Sequence, residues 1–117
     1  MSDRAFRHRA LGAVLGSAVG DALGAPFEFG PARQYSARFP SPVIGGIGEM
    51  VGGGGHHWAP GEFTDDTQMA IVQAESILEC DGIDGADLFE RFGTWASDAA
   101  DVGIQTRSVL SSGRPWH

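Results

Sequence analysis

With 117 residues, 20% of them charged and 42% hydrophobic, the chain has globular composition and room for one modest domain, which excludes an intrinsically disordered polymer. Its net charge of -7 sets 15 acidic residues against eight arginines and no lysine, which excludes a phosphate-neutralising nucleic-acid surface and leaves a field that attracts cations. The single cysteine, Cys80, excludes an intrachain disulfide and a cysteine-based zinc knuckle; it fits a reducing, cytoplasmic setting and reads as a small core residue.

From about Phe6 to Leu23 no proline or turn dipeptide interrupts a run rich in alanine, leucine and valine, which predicts a helix. Gly12, Gly16, Gly20 and Gly24 recur every fourth residue along one side of it, a stripe that lets another helix approach closely. Leu11, Val14, Leu15, Ala18, Val19 and Leu23 cover the other faces, so the helix is expected to be central and buried. Arg4, Arg7 and Arg9 before this apolar run also have the order of a secretory signal. The interrupting glycines and Asp21 at its end weigh against that, and the apolar stretch is short for a membrane span.

Between Pro26 and Gly61 the composition shifts to five prolines and many glycines, ending in the run from Gly45 to Gly55, and this whole stretch reads as a long loop of the functional or mobile kind. Helical spacing returns after Asp66, with Met69, Ala70, Val72, Ala74, Ile77 and Leu78 on an apolar side, until Asp81-Gly82 stops it. A third helix fits Gly85 to Ser97, with Leu88, Phe89, Phe92 and Trp95 on one side. No stretch alternates as a strand does, so the class is all-α. Too few elements are present to cover one another's apolar faces, and the chain reads as the front of a larger helical protein.

Chemistry concentrates at Thr64-Asp65-Asp66-Thr67, where the glycine-rich loop meets a helix. A hydroxyl beside two adjacent carboxylates is a set of hard oxygen ligands suited to magnesium, manganese or calcium. The plain alternative is a capping box, Asp65 with Gln68 three residues on, and the two readings are compatible. Asp21 sits among small residues at the end of the first helix, where a carboxylate that hydrogen-bonds loop backbone is expected. Glu28, between Phe27 and Phe29, reads by itself as an exposed loop glutamate, with the alternative that its aromatic neighbours raise its pKa toward acid/base duty. His56-His57 reads as a solvated pair. No Gly-Lys-[Ser/Thr] follows the glycines, no Gly-x-Ser-x-Gly elbow occurs, and the further aspartate of a magnesium-dependent isoprenoid synthase motif is missing after Asp66.

Taken together, the run from Gly16 to Phe29, the run Phe63-Thr64-Asp65-Asp66-Thr67-Gln68-Met69-Ala70, and Asp101-Val102-Gly103-Ile104-Gln105-Thr106-Arg107 resemble the ADP-ribosylglycohydrolase family. The resemblance implies an orthogonal all-α domain of which residues 1-117 are an amino-terminal part. It also implies two Mg2+ or Mn2+ ions in a cleft for ADP-ribose, and hydrolysis of an ADP-ribosylated substrate; the short apolar stretch already leads us to expect no membrane partner. The resemblance implies that Thr64, Asp65 and Asp66 are metal ligands and that Glu28 and Asp101 are catalytic carboxylates. Asp21 and Gly103 are assigned to the substrate side. The family completes its metal centre with a later Asp-x-Asp-[Ser/Thr] group, and none lies between Gln68 and His117, so the chain alone is expected to be inactive. The other readings are a non-catalytic ADP-ribose-binding or structural member of the fold, and a secreted helical interaction domain with a cleaved leader.

Overall fold

A computed structural model describes residues 3-117. These residues are helical with no named strand, and they divide into two compact units, one ending at Thr64 and the other beginning at Asp65.

The first unit opens with α1 (Asp3–Gly24), whose start carries an exposed Asp3–Arg7 ion pair at 3.1 Å, one helical turn apart. The helix gives way to a 3-10 turn, Ala25–Phe27, because Pro26 has no N–H to continue the ladder. Ala22, Ala25 and Pro26 are buried there. The rest of α1 departs from expectation: Leu11, Val14, Leu15 and Val19 are all exposed, and nothing lies within 4 Å of where a side chain at Gly12, Gly16, Gly20 or Gly24 would stand. Apolarity on every face makes a helix that wants burial, but the described residues supply no element to cover it. By length and composition, Asp3–Phe27 is also apolar enough to cross a membrane, a test that core helices of soluble proteins and signal sequences pass too.

The segment after Phe27 is more ordered than a loop. A short helix, α2 (Gln34–Arg38), follows Arg33 in the left-handed region, and Phe27, Tyr35 and Phe39 pack edge to face or tilted, with ring centroids 5.2 to 6.2 Å apart. Glu49 braces this cluster. It accepts from the Tyr35 hydroxyl and, at 3.1 Å, from the Val43 N–H. The Tyr35 bond, then the Val43 bond, hold the Glu49 carboxyl below its ordinary range, and Glu49 in turn raises the Tyr35 phenol.

Glycine is required at Gly54, as it is at Gly52. With φ of 75°, Gly54 lies so close to Pro26 that a Cβ would stand 2.7 Å from the Pro26 carbonyl oxygen. Gly53 and buried Trp58 exchange backbone hydrogen bonds of 2.8 and 3.0 Å across the turn that follows. Glu62 then accepts the Ala59 N–H at 2.6 Å and steadies the approach to Thr64.

The second unit is α3 (Asp65–Glu79), α4 (Gly85–Asp98) and α5 (Ile104–Leu110). Asp81-Gly82 does end α3: Asp81 adopts φ of 53° and the Gly82 N–H reaches back to the Ile77 carbonyl at 3.0 Å, a left-handed cap with aspartate where glycine is usual. Asp84 caps α4, accepting from the N–H groups of Ala86 and Asp87 at 2.9 and 3.0 Å. Leu88, Phe89, Phe92 and Trp95 share the half-buried side of α4, as their spacing predicts.

On α3 the expected apolar face is only half-covered. Met69, Val72 and Ile77 are half-buried, whereas Ala70, Ala74 and Leu78 are exposed. The fully buried side chain is Ser76, whose hydroxyl donates to Asp87 at 2.6 Å; Arg91 bridges Asp87 at 2.7 Å and Glu79 at 2.5 Å. This polar seam ties α3 to α4. Cys80, expected in the core, is exposed, because it lies in the turn that leaves α3.

Candidate functional site

The candidate residues occupy element ends. Asp21 lies in the last turn of α1, Thr64 immediately before α3, and Asp65 and Asp66 in the first turn of α3. Thr64 is 2% exposed despite its hydroxyl, so its polar atoms need partners. Asp21 supplies them: its Oδ2 accepts the Thr64 N–H at 2.9 Å and its Oδ1 accepts the Thr64 hydroxyl proton at 2.7 Å. The expectation that Asp21 bonds loop backbone is met, and it bonds the neighbouring hydroxyl as well.

Asp65 and Gln68 do not form the expected capping box. The helix begins at Asp65, so Thr64 holds the capping position and Gln68 lies one place beyond where a reciprocal partner would stand. The Gln68 Oε1 instead accepts the Trp95 indole N–H at 2.8 Å, pinning the first turns of α3 against α4. Asp65 is half-buried and Asp66 exposed, and the positive end of α3 offsets their mutual repulsion.

Glu28 terminates the 3-10 turn and is exposed. The exposed-glutamate reading holds, and the aromatic neighbours of Glu28 do not enclose it, because Phe27 turns into the Tyr35–Phe39 cluster while Phe29 is 82% exposed, with φ of 62°, and faces His56 at 6.5 Å. His56 stacks on Trp58 with centroids 5.3 Å apart, and both His56 and His57 are exposed, as expected of a solvated pair. In the second unit, Asp101 is half-buried beside buried Val102, and Gly103 precedes α5 at its amino end.

A cation would find hard oxygen donors in Thr64, Asp65 and Asp66, but among the described residues no three His, Cys, Asp or Glu side chains form a cluster able to hold a metal ion. The donor chemistry fits magnesium or manganese; the donor number is short of the six such ions take. Sequence reasoning missed Ser76, Asp87 and Arg91, whose only advance signal is the four-residue Asp87–Arg91 spacing.

The described residues form a helical scaffold with adjacent acidic oxygen donors in the first turn of α3, and that scaffold defines the class as all-α. The ADP-ribosylglycohydrolase family profile matches residues 2–117, and the chain belongs to that family. It is 39% identical over 108 residues to the ADP-ribosyl-[dinitrogen reductase] glycohydrolase of Rhodospirillum rubrum, covering 92% of this chain and 35% of that protein. It is 34% identical over 110 residues to the ADP-ribosylarginine hydrolase Tri1 of Serratia proteamaculans, covering 87% of this chain and 27% of that one. The chain thus spans about a third of the length of these relatives or less.

Proposed function

We propose that the full-length protein is a divalent-metal-dependent hydrolase that releases ADP-ribose from a modified side chain, with arginine the first linkage to try. The observation that carries this reading is a family member's Thr64-Asp65-Asp66 run intact at the start of α3, with buried Thr64 held in place by Asp21. The names of the relatives, a dinitrogen reductase glycohydrolase and an arginine hydrolase, support the substrate class.

In this reading Thr64, Asp65 and Asp66 hold Mg2+ or Mn2+ and donors from elsewhere in the protein complete the shell. The chemistry a bound ion supplies is orientation of ribose hydroxyls and a water, and a lower pKa for that water. Glu28, exposed at its turn, takes a proton from the attacking water, and Asp101 orients the ribose, with Gly103 leaving room beside it. Charge developing at the anomeric carbon has oxocarbenium character, so carboxylates nearby stabilise the transition state more than the ground state. Residues 1-117 alone, with two carboxylates and one hydroxyl, are inactive in this reading.

Asp65→Ala tests the proposal. Lost release of ADP-ribose with a retained fold supports it; unchanged release by the variant removes Asp65 from the machinery and favours a fold member that does not use this site for catalysis.

A further inference from the structure

A threonine hydroxyl has one proton and two lone pairs. To ligate a cation it must offer a lone pair and keep its proton elsewhere. The Thr64 proton goes to Asp21 Oδ1 at 2.7 Å, and the other oxygen of that carboxylate takes the Thr64 N–H at 2.9 Å. One carboxylate therefore fixes both the backbone and the hydroxyl rotor of a residue that is 2% exposed. The partners are 43 residues apart, so the contact is made by the fold and not by local chain geometry.

We propose that Asp21 is a positioning residue for cation binding: by holding the Thr64 proton, it leaves the Thr64 oxygen presenting only lone pairs to the ion. This rests on the reading of Thr64-Asp65-Asp66 as cation ligands. It also moves Asp21 from the substrate side to the support of a ligand, the place where carboxylates orient the groups that touch a metal. The charge of Asp21 is essential to the argument, because a carboxylate can only accept. Asparagine has nearly the same shape, but it can accept the Thr64 N–H with its oxygen and donate to the Thr64 hydroxyl with its amide. That reverses the hydroxyl, occupying a lone pair and freeing the proton to point at the ion.

The test is Mn2+ binding to the full-length protein by calorimetry, without substrate, beside thermal unfolding of the metal-free form. Asp21→Asn is expected to weaken Mn2+ binding about 10–100-fold while leaving metal-free unfolding close to that of the unsubstituted protein. Thr64→Val is expected to weaken binding comparably, and the double variant no more than the worse single one, since both remove the same oxygen from use. Asp21→Asn that binds Mn2+ as well as the unsubstituted protein, or losses that add in the double variant, would overturn the inference while leaving the metal reading intact. If Asp21→Asn fails to fold, Thr64→Val decides, because normal Mn2+ binding without the hydroxyl overturns it equally. An unsubstituted protein that binds no Mn2+ removes the metal reading itself and this inference with it.

Discussion

Gly54 offers a test of the first unit whose size follows from the local geometry. A side chain there meets two separate costs. The backbone has φ of 75°, and an L-residue held in the left-handed region costs about 1–2 kcal/mol. The new Cβ would also stand 2.7 Å from the Pro26 carbonyl oxygen and 2.9 Å from its Cα, backbone atoms that cannot rotate away, and forcing such an overlap costs about 1–3 kcal/mol. Alanine recovers about 0.4–1 kcal/mol by restricting the unfolded chain. The net expectation for Gly54→Ala is a loss of about 1–4.6 kcal/mol. Gly46 is the control, with φ of 59° and nothing within 4 Å of its would-be Cβ, so Gly46→Ala meets only the backbone cost and should lose about 0–1.6 kcal/mol, less than Gly54→Ala by the whole packing cost. Urea unfolding of the full-length variants, followed by tryptophan fluorescence with Trp58 buried nearby, measures both. Equal losses in the two variants would refute the packing of the glycine turn against Pro26, and with it the account of how this segment is held beside the Glu28 turn.

Other consequences follow from the hydrogen bonds. The Ser76 bond, then the Arg91 bond, hold the Asp87 carboxyl below its ordinary range. A depressed carboxylate pKa adds stability above the unfolded value near ~4, and that stability is lost as pH falls through the lower folded value. Asp87→Asn should therefore flatten the acid limb of a stability–pH profile, and an acid limb unchanged in the variant would remove Asp87 from it. Tyr35→Phe should flatten the Glu49 contribution in the same window, read from the same profile. Trp95→Phe deletes the indole donor to Gln68 while keeping an aromatic ring; it should cost about 0.5–1.5 kcal/mol in urea unfolding. No measurable loss there would mean that the bond does not pin the first turns of α3.

Much of this was legible in residue order. The uninterrupted run to Leu23, the return of helical spacing after Asp66 and the stop at Asp81-Gly82 each mark a helix or its end, because backbone propensity and caps act locally. The helix α2 was not legible: its five residues are too few for a periodic face, and they lie among prolines and glycines. Seven-residue α5 was not legible either, being too short for a periodic face. Burial was read less well than helix type. The apolar faces of α1 announce a helix that seeks partners without naming them, and among the described residues they stay exposed. Conversely, a serine in an apolar run gives no sign that it will be the buried centre of the α3–α4 seam; only its partner Asp87, on another helix, makes that place tolerable.

At the candidate site, the hard-oxygen character of Thr64-Asp65-Asp66 was readable from chemistry alone, and so was a backbone-bonding role for Asp21. The identity of its partner was not, since joining residues 43 apart takes the fold. Read by itself, Glu28 is an exposed loop glutamate, and it is exposed; the enclosure its aromatic neighbours could have given does not form, because adjacent side chains diverge and the rings of Phe27 and Phe29 go to other partners.

The most direct test of the central claim is release of ADP-ribose from an ADP-ribosylarginine protein by the full-length chain, measured with Mn2+ and after chelation. The account predicts turnover with the metal and its loss on chelation and in Asp65→Ala. Equal turnover with and without chelator, or ADP-ribose binding with no release in the presence of metal, would contradict it.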